Sequence, residues 1–321
     1  MYPQDSFTHR FVVEEEGVRL DLFLKNHLSK FSRSLLQGLI DKGMVTVNGK
    51  MSKRAYTVRR GDEISVVIPS SLRLEVRPRP IPLDILWEDD KLLVVNKPPG
   101  MLVHPTSYEQ EDTLVNALLF HCHRLSQLNG VLRQGIVHRL DRDTSGVMVI
   151  AKDDCTHLAL ANQFQKREVK KIYLALVRGR PPQGKGRIDK RIGRNPREGK
   201  KMAIDEKFGR EAITHYRVLK YWGKWSLVEL HPRTGRTHQI RLHLRCINCF
   251  LIGDRVYGKR MAQDFPYRAR RGMLHAKILG FFHPERREWM EFEAPLAEDM
   301  EQAINYLERN FNSETLPPQY L

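Results

Sequence analysis

Apolar positions along residues 11–68 repeat with two different periods, and the switches between them outline a small module. Phe11, Val12 and Val13 form a short apolar run that predicts a strand. Leu20, Phe23, Leu24 and Leu28 follow at three- and four-residue spacing, which places them on one face of a helix. Leu35, Leu36, Leu39 and Ile40 repeat that stripe after Ser32, whose hydroxyl suits a helix N-terminus, and Gly43 stops it. Residues 44–47 and the chain from Met51 flank Asn48-Gly49, a dipeptide that favours a two-residue hairpin turn. Gly61-Asp62 marks a further turn, and residues 64–68 a closing strand.

Residues 69–82 change character. Pro69, Pro78, Pro80 and Pro82 interrupt helix and strand alike, so this stretch reads as a stiff linker. From residue 83 to 311 the pattern alternates irregularly. Strands are expected at 92–96, 147–151, 172–177, 214–220 and 226–230, with the last two paired. Helices are expected at 113–120, 158–164, 238–244 and 298–307. Strands separated by helices and loops imply an α+β domain around one sheet. Residues 312–321 have no periodicity and are expected to form a loose tail.

The charge narrows the partners. Among 321 residues the net charge is +16, an excess that favours polyanions, chiefly nucleic acid. No apolar stretch approaches the roughly 18 residues of a membrane span, and residues 1–10 lack the basic-then-apolar order of a signal peptide. Four unevenly spaced cysteines do not make a disulfide framework. The expectation is a cytoplasmic protein without membrane contact, with monomer as the default state.

Candidate chemistry concentrates in His138-Arg139-Leu140-Asp141-Arg142-Asp143-Thr144-Ser145-Gly146. This polar nonapeptide lies between the β-type segments 135–137 and 147–152, the arrangement that holds reactive side chains on a short loop between rigid neighbours. It resembles the H-R-L-D-x-x-T-S-G motif of the RluA-type pseudouridine synthases. The resemblance extends through Asn96-Lys97-Pro98-Pro99-Gly100 with His104-Pro105, and through Lys171-x-Tyr173-Leu174-Ala175-Leu176-Val177. It continues in Leu230-x-Pro232-x-Thr234-Gly235-Arg236-Thr237-His238-Gln239-Ile240-Arg241, Gly253-Asp254-x-x-Tyr257-Gly258 and Leu274-His275-Ala276. These blocks keep the family's order over most of residues 85–295.

That resemblance implies a pseudouridine synthase fold, with a mostly antiparallel central sheet, and an enzyme that isomerises uridine in structured RNA. The glycosidic bond breaks, the base turns over, and a carbon-carbon bond forms at C5. Nothing enters from outside, so no cofactor and no metal are expected. The reaction needs a carboxylate, as nucleophile or as base, and the resemblance assigns this to Asp141. It makes Arg241 the cation that holds the carboxylate charged, and Tyr173 the ring that stacks on the uracil and assists proton transfer. A stacked uridine must be extruded, and Arg139 matches the arginine that fills the gap, with His138 beside it at the RNA.

Residues 11–68 resemble the αL RNA-binding domain of the ribosomal-protein S-four type. The matching signals are Arg19-Leu20-Asp21, Ser32-Arg33-Ser34, the Gly43–Lys50 run with its Val-x-Val-Asn-Gly-Lys element, and Gly61-Asp62. Arg33, Lys50 and Lys53 would contact phosphate there, as would Lys30, Lys42 and Arg54. Two basic segments, 185–201 with Arg191 and 255–271 with Arg260, extend this footprint, as does Arg236. An appended αL domain favours large-subunit ribosomal RNA, or a pre-ribosomal particle, as substrate; transfer RNA is the alternative. A non-catalytic ribosome-assembly protein and a glycosidase using Asp141 and Asp143 are the rival classes. His-Arg-Leu-Asp also resembles the kinase H-R-D-L, without the other kinase elements. Cys246-x-x-Cys249 near His238 and His243 lacks the second pair a structural zinc site needs.

Overall fold

The computed structural model describes residues 6–29, 31, 33–69, 76–105, 110–196, 198, 201–258, 265 and 269–315. It separates into two compact units, the first cut falling between Arg77 and Pro78 inside the proline-rich stretch; residues 105, 110–111 and 129–134 group with the first unit and the rest of the later chain with the second.

The first unit holds β1 (Ser6–Val12), α1 (Leu20–His27), α2 (Arg33–Asp41), β2 (Val45–Val47), β3 (Lys50–Met51) and β4 (Glu63–Pro69). The strands form an antiparallel sheet in the order β1-β4-β2-β3. The two helical stripes meet the inward residues of β4, so Leu20, Leu24, Leu36, Leu39, Ile40, Val45, Ile64 and Val66 make one core. Asn48 takes the left-handed backbone that the hairpin requires, at φ 52°. Asp62 fastens that turn by accepting from Asn48 Nδ2 (2.8 Å), Tyr56 Oη (2.9 Å) and the Arg59 N–H (2.9 Å). β1 begins at Ser6, earlier than expected. Its pairing from Ser6↔Pro69 to Val12↔Glu63 is a backbone ladder, and Phe7 on it is exposed, so no apolar alternation announces it. Ser32 lies outside the described residues.

The second unit contains β5 (Ile85–Glu88), β6 (Leu92–Lys97), α3 (Leu114–His121), β7 (Ser145–Ala151), α4 (Asp154–Lys166), β8 (Lys170–Arg178), β9 (Lys185–Asp189), β10 (Ile192–Arg194) and β11 (Met202–Ile204). It continues with β12 (Ile213–Trp222), β13 (Trp225–Pro232), α5 (Gln239–Cys246), β14 (Phe250–Leu251), β15 (Leu274–Phe282), β16 (Trp289–Glu293), α6 (Glu298–Asn310) and β17 (Ser313–Thr315). One large sheet runs β17-β12-β13-β8-β15-β7-β6-β5, with β9, β14 and β16 paired to β12, β8 and β15. Its ladders are antiparallel except β7 with β15, which run parallel at Ser145 and Gly146. This is the expected α+β class. β7 lies deep in the sheet and is buried at every residue. Val147, Val149, Leu92, Val94 and Phe281 pack with Leu160 of α4, while Met300, Ala303 and Leu307 of α6 pack with Trp222 and Met273.

Several expectations shift. The segment 135–137 makes only an isolated bridge, Ile136 to Ile150. α4 starts at Asp154 because Asp153 caps it, accepting from the Thr156 N–H at 2.8 Å. Ser313–Thr315, expected in the tail, pairs with residues 220–222 of β12 and extends the sheet. Within the basic segment 185–201, Lys185–Asp189 and Ile192–Arg194 form β9 and β10. The end of the linker belongs to the second unit, where the Arg79 N–H donates to Asn116 O at 2.9 Å. Among the described residues no helix is long and apolar enough to cross a membrane.

Candidate active site

The nonapeptide ends where β7 begins, and two glycines let the backbone close up around it. Gly146 (φ 117°) stands so near β15 that a Cβ would lie 2.1 Å from Ala276 O. Gly253 (φ 78°) would put one 1.8 Å from Arg271 O. No other residue fits either position without moving a backbone. The loop is then tied by its carbonyls. The buried Lys97 ammonium donates to Arg142 O (3.1 Å), Pro98 O (2.6 Å) and Met101 O (3.0 Å). Burial, with the Arg271 guanidinium, pushes Lys97 down to about 7. The Gly100 N–H donates to the same Arg142 oxygen, and Arg142 Nε returns a bond to Gly100 O. On the other flank the buried Arg271 reaches Asp143 O (2.9 Å) and Leu274 O (3.1 Å) while Asp299 of α6 holds it with two 2.7 Å bonds. Asp141 projects from a loop fixed at both ends.

Asp141 lies on a cavity of about 500 Å³ lined by residues of the loop, α4, β8, the β13–α5 turn and α5. Its Oδ2 is 3.4 Å from Arg241 Nη1. Arg241 is half-enclosed and held by Asp254, whose two oxygens accept from Nε and Nη2 at 2.7 Å each. Burial opposes the Arg241 charge, and the bidentate Asp254 pair overcomes it, raising its pKa. Burial likewise opposes the Asp254 carboxylate, and Arg241 with the Val256 and Tyr257 N–H groups holds its pKa low. The Arg241 guanidinium also lies 4.8 Å from the centre of the Tyr257 ring. The third group at Asp141 is His238, its Nε2 3.8 Å from Oδ2. The Tyr257 hydroxyl accepts the Met202 N–H and stands 2.8 Å from His238 Nδ1. With the phenol donating there, the ring proton sits on Nε2, facing Asp141.

α5 presents Arg241 because its first turn is pinned. Buried Gln239 donates to Ile213 O and Thr214 Oγ1 (both 3.0 Å) and accepts from Thr234 Oγ1 (2.7 Å) and the Arg236 N–H (3.0 Å). His238 is not the first helical residue, as the periodicity suggests, but the left-handed cap at φ 57°.

The expected residues distribute as follows. Asp141, Tyr173, Arg241, Arg139, His138 and Arg236 all line the cavity. Tyr173 lies on β8, where burial and then the Asp141 charge raise its phenol pKa, keeping it neutral. Arg139 is exposed and makes no hydrogen bond or ion pair among the described residues. His138 also has work within the fold. Its ring stacks on Phe164, Nε2 accepts the Val149 N–H at 3.1 Å, and burial pushes its pKa down to about 3. The neutral ring braces β7.

Arg236 Nε donates to Glu211 O (3.1 Å), and Arg191 Nε to Gly209 O (2.7 Å). In the first unit Arg33 binds Asp21 (2.7 Å), whereas the exposed Lys50 and Lys53 side chains have no such partner among the described residues. Lys30 and Arg260 lie outside them. Asp254, His238 and Tyr257 sit inside motifs quoted from the sequence without a role there; only their convergence on Arg241 and Asp141 reveals one. Asp143 is exposed and does not line the cavity, which removes the paired carboxylates of a glycosidase. Both nitrogens of His243 are engaged, by Thr214 Oγ1 and Lys190 O.

A carboxylate oriented by a rigidly held guanidinium, in a cavity whose other charged lining is cationic, defines an enzyme for a polyanionic substrate. Comparison with known proteins specifies which. Residues 91–245 match the RNA pseudouridylate synthase family model, and residues 18–64 match the S4 domain. The chain is 43% identical to an uncharacterised RNA pseudouridine synthase of Bacillus subtilis, over 92% of this chain and 96% of that protein. It is 40% identical to ribosomal large subunit pseudouridine synthase D of Zymomonas mobilis, over 92% and 96%. The protein of that name in Vibrio vulnificus is 38% identical over the whole of both. Among solved structures, human RNA pseudouridylate synthase domain containing 1 superposes with a TM-score of 0.54 at 28% identity, covering 72% of this chain and 96% of that one. The chain belongs to the RluA-type RNA pseudouridine synthase family, with an N-terminal S4 domain.

Proposed function

We propose that this enzyme converts uridine to pseudouridine in large-subunit ribosomal RNA, in the cytoplasm, with Asp141 as the residue that does the chemistry. The observation that carries the reading is the Asp141 carboxylate held at the cavity by Arg241, itself locked by Asp254. The names of relatives aligned over nearly their whole length support the ribosomal target. The cavity, about 500 Å³, has the size of a small-ligand site and suits one extruded nucleotide rather than a stacked helix. Asp141 attacks the nucleoside or withdraws its ribose proton, and the N-glycosidic bond breaks. Uracil turns against Tyr173 and C5 bonds to the ribose carbon as Asp141 is released or returns the ribose proton. The C5 proton then leaves and N1, freed from the sugar, takes one up. Product and substrate are isomers, so the balance needs no cofactor. Arg139, exposed and without a polar partner among the described residues, fills the space the extruded base vacates.

Mass-spectrometric mapping of pseudouridine in ribosomal and transfer RNA, from cells lacking this protein, tests the reading. Specific large-subunit sites should be lost and regained with wild type but not with Asp141→Asn. Loss confined to transfer RNA would replace the substrate; restoration by Asp141→Asn would remove Asp141 from the chemistry. An unchanged map would transfer the protein to the assembly-factor class.

A further inference from the structure

Among the described residues, six cations line the cavity and Asp141 is the one carboxylate. Four of the six have work within the fold or the proposed reaction. Arg241 is held by Asp254, Arg167 by Glu211 at 3.1 and 3.2 Å, Arg236 by Glu211 O, and Arg139 is committed to the vacated stack. Lys171 and Arg233 are left. Neither side chain makes a hydrogen bond or ion pair among the described residues. Arg233 is exposed, but Lys171 is half-buried. Burial, then the Arg233 and Arg167 charges, push its ammonium down to about 8. A half-buried lysine without a carboxylate, set among like charges, costs the free protein stability. Such an arrangement is explained by an anion that arrives from outside.

The register says where that anion sits. Lys171 and Tyr173 are two residues apart on β8, so they share a face about 7 Å apart along the strand. That is the scale separating a nucleobase from its own phosphate. Building on the reading that Tyr173 meets the uracil, we propose that Lys171 and Arg233 form a phosphate subsite. It takes a phosphodiester of the RNA strand next to the extruded uridine, so that the base is held at one end by Tyr173 and at the other through its backbone. Lys171 acts by binding, and the cost of its enclosure in the free enzyme is relieved when RNA docks.

The test compares wild type, Lys171→Met, Lys171→Arg and Arg233→Ala on unmodified large-subunit ribosomal RNA transcripts. Three readouts are taken: equilibrium binding across a salt series, single-turnover release of tritium from C5, and thermal melting. Lys171→Met should weaken half-saturation about tenfold with a smaller change in maximal rate. The log-log salt dependence should flatten by roughly 0.7–0.9, the share of one phosphate contact. Its melting temperature should rise by about 1–3 °C, because a repelling cation has gone. Lys171→Arg should keep most of the binding, and the exposed Arg233→Ala should reproduce the loss in affinity without a large melting shift.

Unchanged binding and salt slope in both Lys171→Met and Arg233→Ala overturn the subsite. So does a melting temperature that falls while binding holds, the signature of a structural lysine. A wild type that converts no uridine in these transcripts removes the ribosomal reading. In that case weaker binding with a flatter salt slope in the variants still supports the subsite, and unaltered binding still ends it.

Discussion

Arg241 shows how much a single residue depends on partners distant in the chain. It lies 100 positions from Asp141 and 13 from Asp254, and its two roles pull in different directions. The bidentate pair with buried Asp254 fixes the plane of the guanidinium, which leaves only Nη1 to face Asp141. Asp254→Asn should therefore lose about 3–5 kcal/mol of stability, the cost of stranding a buried cation. Activity should fall at least roughly tenfold, because a displaced guanidinium no longer orients the carboxylate. The double variant Asp254→Asn with Arg241→Leu should regain stability but not activity. Urea unfolding and the tritium-release rate separate the two effects; equal recovery of both would show that Arg241 is merely structural. The sequence displayed Asp141, Tyr173 and Arg241 through their motifs. It did not display His238 as a left-handed cap with Nε2 toward Asp141, because that depends on Tyr257 arriving from a later turn.

At the scale of elements, legibility followed the source of order. The two helices of the S4 domain were readable because their stability comes from an apolar stripe. The first part of β1 and the whole of β17 were not, because backbone ladders specify them. The parallel contact of β7 with β15 has its own requirement in Gly146. Gly146→Ala should cost about 3 kcal/mol or more, from a Cβ driven against Ala276 O in an unfavourable φ region. Chemical denaturation would show it, and a loss below about 1 kcal/mol would mean the strands can part. The S4 domain carries its own acid sensitivity. Asp21 is buried between its helices. Burial opposes its charge, but hydrogen bonds from Gln37, Arg33 and Arg19 hold its pKa down at about 2. A lowered carboxylate pKa contributes stability that is present above the unfolded value of 3.8 and is lost as pH falls through about 2. Asp21→Asn should flatten stability against pH between about 4 and 2, measured by far-ultraviolet circular dichroism. An unaltered acid limb would place that sensitivity elsewhere.

For the whole molecule, the charge of +16 acts before any contact forms. If six to ten phosphates are engaged, RNA affinity should fall on the order of 10³-fold or more between 50 and 200 mM salt. A filter-binding series would reveal it, and a flat response would deny the backbone its role. Lys171 adds a second dependence on solution conditions. Its pKa is about 8 in the fold against 10.5 for a free lysine side chain, so above pH 8 the folded state gives up a proton that the unfolded chain still holds. Stability of the free enzyme should rise from pH 8 toward 10.5 relative to Lys171→Met. Thermal melts of the two proteins across that range would check the sign.

The sequence by itself determined the class of the fold, the family, the small helical module and RNA as the polyanionic partner. Each is encoded locally, in periodicity, turn chemistry, motif or total charge. The tertiary structure decided the strand order, the parallel joint at Gly146, the neutral brace made of His138 and the clamp of Asp254 on Arg241. It also left Lys171 half-buried with no carboxylate partner among the described residues. These depend on which distant backbones come within a hydrogen bond of one another, and such contacts are set by how the sheet closes around its core.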